Sequence, residues 1–203
     1  HRDLHSFPTR RSSDLRAASA LHHPNIVTVF DAGVTDGTPW IAMEYVEGRT
    51  LREMLAEGPL GGEQLLGTSL QLANGLSAAH EMRIIHRDLK PENVMVTRDG
   101  AVKILDFGLA KLTRGQDGTG SGGAEQTQTM TLTGGLVGTP AYMSPEQIEG
   151  APLDYRSDQF SLGVILYELA TGLHPFRRPT APQTMAAILE ARPKPPAELK
   201  PGI

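Results

Sequence analysis

Apolar and polar positions along the chain sort into short β-branched runs in the first quarter and longer helical stripes after it. Ile26 to Phe30 (IVTVF) and Trp40 to Val46 (WIAMEYV) are apolar, β-branched or aromatic, and Asp36-Gly37 lies between them as a turn. They predict a two-stranded hairpin. Ahead of it, Ala-rich Arg16 to Leu21 reads as the last turns of a helix, because Pro24 disfavours helical geometry at His23. A helix is expected to begin near Thr50. Glu63 to Glu81 carries Leu65, Leu66, Leu72, Leu76 and Ala79 as a helical stripe facing a core, although Asn74-Gly75 interrupts it. Asn93 to Val96 (NVMV) and Val102 to Leu105 (VKIL) flank Asp99-Gly100, a strong hairpin signal because both turn residues tolerate positive φ. Ser157 to Leu169 is apolar almost all round, the pattern of a buried helix, with Ser157 or Asp158 as its cap and His174-Pro175-Phe176 as its stop. Thr184 to Ala191 predicts a last short helix before a Pro-rich tail.

Composition narrows the class. A length of 203 residues allows one domain or a small two-lobed one, and 39% hydrophobic with 21% charged residues is ordinarily globular. The net charge of −4 comes with no basic stripe, so no nucleic-acid partner is expected. The absence of cysteine excludes a disulfide scaffold and a thiolate metal site. The most apolar run, Phe160 to Leu173, contains Glu168 and is too short to span a bilayer. Gly115 to Gly123 (GQDGTGSGG) is low-complexity and is expected to be mobile. His1 to Leu15 (HRDLHSFPTRRSSDL) has no hydrophobic period and looks like a translated sequencing-library adapter, so it is set aside from the fold. Without it the balance is 16 basic against 21 acidic groups, still mildly acidic.

Candidate chemistry concentrates in Ile84 to Asn93 (IIHRDLKPEN), where an acid, a base and an amide stand at Asp88, Lys90 and Asn93. Pro91 argues against a helix here, so the stretch is a loop held by its neighbours. Its residue order resembles the catalytic loop H-R-D-L-x-x-x-N of protein kinases. Asp106-Phe107-Gly108, Gly138-Thr139-Pro140 and Ser144-Pro145-Glu146 follow in the order of that family, the last with Ser in place of Ala. His1-Arg2-Asp3-Leu4 imitates the loop but lacks the Lys, Pro and Asn that follow Leu89, and receives no role. The chain is therefore identified, over Arg16 to Ile203, with the bacterial (Hanks-type) serine/threonine protein kinases. The implied fold is α+β, with residues 16–46 as the end of the smaller lobe and the linker, and 47–203 as most of a helical lobe.

That resemblance implies ATP and Mg²⁺ as cofactors and a set of roles. Asp88 would orient the acceptor hydroxyl and take its proton, Lys90 would sit on the transferring phosphate, and Asn93 and Asp106 would hold the metal. Thr139 would bridge Asp88 and Lys90. Met43 would stand beside the adenine pocket, the carbonyl of Glu44 and the amide of Val46 would bond the adenine edge, and Met95 would line its floor or simply pack in the core. Arg87 would receive a phosphate from an activation segment, with Thr131 and Thr133 as the phosphorylated residues. His86, Phe107, Gly108, Glu146 and Asp158 would be structural, Asp158 by accepting hydrogen bonds from the catalytic-loop backbone and Glu146 by pairing with an arginine beyond Ile203. His80 and His174 read as packed or capping residues, not ligands.

A lysine two residues after the catalytic acid marks the serine/threonine class, so protein Ser/Thr side chains are the expected acceptors, with self-association for trans-autophosphorylation. The domain is expected to be cytoplasmic, its parent anchored by a segment outside this sequence. No Gly-rich phosphate loop and no V-A-I-K lysine are found, so these 203 residues alone are expected to be inactive. The rival reading is a pseudokinase or signalling scaffold, against which stand Asp88, Asn93 and Asp106. A small-molecule phosphotransferase is a third, against which stand the activation segment and Ser144-Pro145-Glu146.

Overall fold

The computed structural model describes residues 21–36, 38–107 and 140–202. The helix read at Arg16 to Leu21 (except for Leu21 itself), the segment 115–123, and Gly108, Thr131, Thr133 and Thr139 lie outside the described residues, as does the stretch 1–15.

Two small antiparallel sheets precede and flank a helical body. In the first, β1 (Val29–Thr35) pairs with β2 (Thr38–Met43). Both strands are displaced from the expected runs. Ile26 and Val27 are diverted to another sheet: Ile26 bridges Ile104 in parallel, and Val27 N donates to Ile104 O at 2.9 Å. Gly33 lets the Trp40 ring lie close over β1, where a Cβ would stand 2.7 Å from the indole and push it aside. The second sheet has the order β3 (Gly48–Thr50), β4 (Val94–Thr97), β5 (Val102–Ile104). At the β4–β5 turn Gly100 alone of the Asp99-Gly100 pair takes positive φ.

Helix α1 (Leu51–Leu55) starts from a capping box in which Thr50 Oγ1 accepts from Glu53 N and the Glu53 carboxylate accepts from Thr50 N. Helix α2 (Gly62–Glu81) buries Leu72, Leu76 and Ala79 and half-buries Leu65. Leu66, expected on the same stripe, is 61% exposed, because it falls with Leu70 on the opposite face. A short helix, α3 (Pro145–Glu149), leads into α4 (Tyr155–Thr171). The cap of α4 is Asp154, whose carboxylate accepts from Arg156 N. Ser157 and Asp158 are instead buried in its first turn and bonded to other elements. The helix stops at Gly172 with φ 74°, two residues before His174-Pro175-Phe176. Helix α5 (Ala181–Glu190) begins three residues before the expected start because Thr180 caps it, and α6 (Pro196–Leu199) follows. The core lies where α2, α4 and β5 meet, with Leu72, Leu76, Leu89, Ile104, Ile165 and Leu169 at most 3% exposed.

Candidate active site

The loop from Ile84 to Asn93 turns its apolar residues inward and its acid outward. Leu89 and Pro91 are fully buried and Asp88 is exposed. Arg87 takes φ 72°, a left-handed backbone that costs a non-glycine residue about 1 kcal/mol or more. Asp158, at the start of α4, holds it there. One carboxylate oxygen accepts from His86 N at 2.8 Å and the other from Arg87 N at 2.9 Å. His80 Nε2 on α2 lies 2.8 Å from the first of these oxygens, so His80 packs between Asp158 and the Tyr155 ring. Burial acts to raise the Asp158 carboxyl, but the bonds from His80, His86 and Arg87 outweigh it and hold the group below the usual carboxylate range.

His86 is buried, and desolvation pushes its imidazole below the ordinary histidine range. The neutral ring has one arrangement that satisfies both nitrogens: Nδ1 accepts from Asp88 N at 3.3 Å, and Nε2 donates to Leu105 O at 2.8 Å. Phe107 packs against it with the rings tilted by 59° and centroids 4.8 Å apart. A second tie runs beside it, from Leu105 N to Asn93 O at 2.8 Å. The β4–β5 hairpin thus leaves from Asn93 and returns beside it. Asp106, exposed and at φ 60°, emerges next to the loop that carries Asp88.

Three polar side chains converge on that loop. Lys90 Nζ lies 2.7 Å from Asp88 Oδ2, and Asn93 Nδ2 donates to Asp88 O at 2.8 Å and, more weakly, to Asp88 Oδ2 at 3.4 Å. On the linker, Met43 ends β2 at 38% exposure and Val46 is buried. The Glu44 carbonyl and the Val46 amide make no hydrogen bond among the described residues. Met95 lies half-buried on β4, in register between Thr50 and Lys103. Glu146 accepts from Ser157 Oγ at 2.6 Å. His174 is a structural acceptor, its Nδ1 taking Phe176 N and Arg177 N at 3.1 and 3.0 Å.

Sequence reasoning missed two devices. Gln147 Nε2 donates to Arg87 O at 2.6 Å while its Oε1 accepts from Ser144 N, so one amide caps α3 and grips the loop. Ser-x-x-Gln is a capping-box pattern and carried the signal. The other is centred on Arg52 of α1, which bonds Glu92 at 2.8 Å, Glu168 at 3.3 Å and the Tyr142 hydroxyl, while that hydroxyl also donates to Glu168. Burial opposes the charge on Arg52, but Glu92, Tyr142 and Glu168 raise its pKa above the usual value. Desolvation and Glu168 likewise raise the Tyr142 hydroxyl. An acid inside the apolar run of α4 was the sign that a cation had to reach it.

The chain matches the protein kinase domain model over residues 5–198. It belongs to the protein kinase family. It is 44% identical over 198 residues to serine/threonine-protein kinase pkn3 of Myxococcus xanthus, across 95% of this chain and 35% of that protein. It is 37% identical over 203 residues to serine/threonine-protein kinase PknB of Mycobacterium leprae, across 98% and 31%. Against serine/threonine-protein kinase PknL of Mycobacterium tuberculosis the identity is 40% over 171 residues, across 84% and 40%. The chain spans about a third of the length of the curated relatives it matches. Among the described residues no helix is long and apolar enough to cross a membrane.

Proposed function

We propose that the protein carrying this chain transfers the γ-phosphoryl group of ATP to Ser or Thr hydroxyls of protein substrates. The observation that carries this reading is the convergence of Asp88, Lys90 and Asn93 on one loop, with Asp106 delivered beside it by the Leu105–Asn93 and His86–Leu105 bonds. Asn93 spends its amide nitrogen on Asp88, which leaves Oδ1 without a partner among the described residues. With the Asp106 carboxylate it makes a small, oxygen-only donor set, the kind Mg²⁺ takes when substrate phosphates and water complete its shell. Asn93 and Asp106 would hold Mg²⁺ there, and the ion would supply positive charge against the phosphates. Asp88 would accept the proton of the acceptor hydroxyl as its oxygen bonds the γ-phosphorus and the bond to the ADP oxygen breaks. Lys90, already paired with Asp88, would keep positive charge on the transferring group. The Glu44 carbonyl and Val46 amide would bond the adenine edge, with Met43 and Met95 beside it.

Regulation by phosphate fits the same geometry. Arg87 Nε is buried without a partner among the described residues, on a loop whose conformation Asp158 and Gln147 hold from two sides. Phosphorylated Thr131 or Thr133 would supply a charge-assisted partner for Arg87, and trans-autophosphorylation between two copies would load it. Thr139 would join Asp88 and Lys90, and a domain that draws on ATP would work in the cytoplasm. Asp88→Asn in the full protein is the test. Transfer of label from γ-labelled ATP to Ser and Thr should fall by about a hundredfold or more with the melting temperature preserved. Undiminished transfer would remove Asp88 from the reaction.

A further inference from the structure

The linker after β2 and the hairpin that delivers Asp106 belong to different sheets, yet one ion pair joins them. Lys103 Nζ on β5 lies 2.7 Å from Glu44 Oε1 and 3.0 Å from Glu44 Oε2. Thr28 N donates to the same Oε2 at 3.2 Å, and Glu44 N donates back to Thr28 O at 2.9 Å. Glu44 is therefore gripped through its backbone and its carboxylate at once. The two side chains are 29% and 18% exposed, against 65% and 87% for the surface pair Glu47–Arg98. Side chains so enclosed lose less of their attraction to solvent and salt. The hydrogen bond from Lys103, ahead of smaller contributions from Thr28, holds the Glu44 carboxyl below its ordinary range.

Position gives the pair a meaning beyond stability. Glu44 is one residue past the end of β2 and two before Val46. Lys103 is in register with Met95 and stands three residues before Asp106. The candidate base-binding and metal-binding groups are thus tied by a side-chain ion pair, beside the backbone bonds that Val27 and Asn25 make to Ile104. We infer that Glu44 and Lys103 are a positioning pair that sets the separation between the base end and the metal end of the nucleotide site. The inference rests on the nucleotide site proposed above. Neither side chain needs to touch the nucleotide. Each acts by fixing the backbone that does, so the pair should matter most to a ligand that spans both ends.

The experiment is calorimetric titration of the full protein with adenosine and with a non-hydrolysable ATP analogue plus Mg²⁺. Glu44→Gln and Lys103→Met should each weaken the magnesium-bound analogue about tenfold, the order of one charge-assisted hydrogen bond, and Lys103→Met, which leaves the base-binding linker intact, should weaken adenosine less than about twofold. The exchange Glu44→Lys with Lys103→Glu should regain about threefold of that loss. Recovery stays partial because an ammonium cannot accept from Thr28 N. Equal losses for both ligands in Lys103→Met, no loss, or an exchange variant no better than the single variants would overturn the pairing. Wild-type protein that folds but takes up neither ligand would instead sink the nucleotide-site reading itself.

Discussion

His86 Nε2 donates to the carbonyl of Leu105 across 2.8 Å, so a buried, uncharged ring joins the loop of Asp88 to the residue immediately before Asp106. The two acids stand 18 positions apart in sequence, and the β4–β5 hairpin could have carried the second anywhere along its edge. With the Leu105–Asn93 bond, the ring fixes where the hairpin ends.

The support beneath that ring is testable through Asp158. It is 1% exposed and accepts from two backbone amides and His80, so Asp158→Asn loses the charge that three donors share. Urea unfolding should show a loss of about 2–3 kcal/mol. A loss below about 0.5 kcal/mol would mean the loop holds its left-handed Arg87 without this acceptor.

Arg52 and Glu168 form a second buried dependence. Arg52→Met strands an acid whose side chain is 6% exposed and should cost about 3 kcal/mol. Arg52→Met combined with Glu168→Gln should cost less than Arg52→Met alone, since the unpaired charge is gone. Additive losses in the double-mutant cycle would show that the network is not coupled.

Acid sensitivity should trace in part to His174. Desolvation, with smaller help from Arg177 and Arg52, lowers its pKa to about 4. Its unfolded value is about 6.5. Between those two values the unfolded chain binds the proton and the native chain does not, so stability falls as pH drops through that window and is unaffected above it. His174→Asn keeps an acceptor for Phe176 N and Arg177 N and removes the titration. Its melting temperature should fall less than that of the wild type between pH 7 and pH 5, and parallel curves would refute the assignment.

Gly75 sets helix propensity against packing. Alanine in a helix interior gains about 1 kcal/mol over glycine. A Cβ at 75 would meet Ile104 Cδ1 at 3.0 Å and the Asn25 carbonyl at 3.2 Å, and overpacking a core costs about 1–3 kcal/mol. The carbonyl belongs to backbone and cannot swing aside, so Gly75→Ala should be destabilising by about 1 kcal/mol on denaturant unfolding. A stabilised variant would show that α2 can shift away from β5.

Much of this was legible in residue order. The hairpin around Asp99-Gly100, the helices near Thr50 and over Glu63 to Glu81, and the buried α4 follow from period and turn chemistry, and the family follows from IIHRDLKPEN and its companions. What escaped were arrangements set by tertiary partners. Ile26 and Val27 look like the start of β1 but are claimed by Ile104. Leu66 is as apolar as Leu65, and one 100° step carries it to solvent. Gly75 reads as a helix weakness until Asn25 and Ile104 show why nothing larger belongs there. Arg52 and Lys103 carry ordinary polar side chains at unremarkable spacings, and only the fold shows that each reaches a buried or functional partner. The Ser144-x-x-Gln147 spacing announces a cap but not its grip on Arg87.

The left-handed backbones at Arg87 and Asp106 bear on where this protein tolerates change. Neither is a glycine, so each sits in a conformation its own sequence resists, and the holding groups come from α2, α3, α4 and the hairpin. Responsibility for the shape of the catalytic loop is therefore spread over residues that never meet a substrate. In genetic terms, the target for inactivating substitutions is wider than the motif, and its outlying members are Asp158, Gln147 and His80.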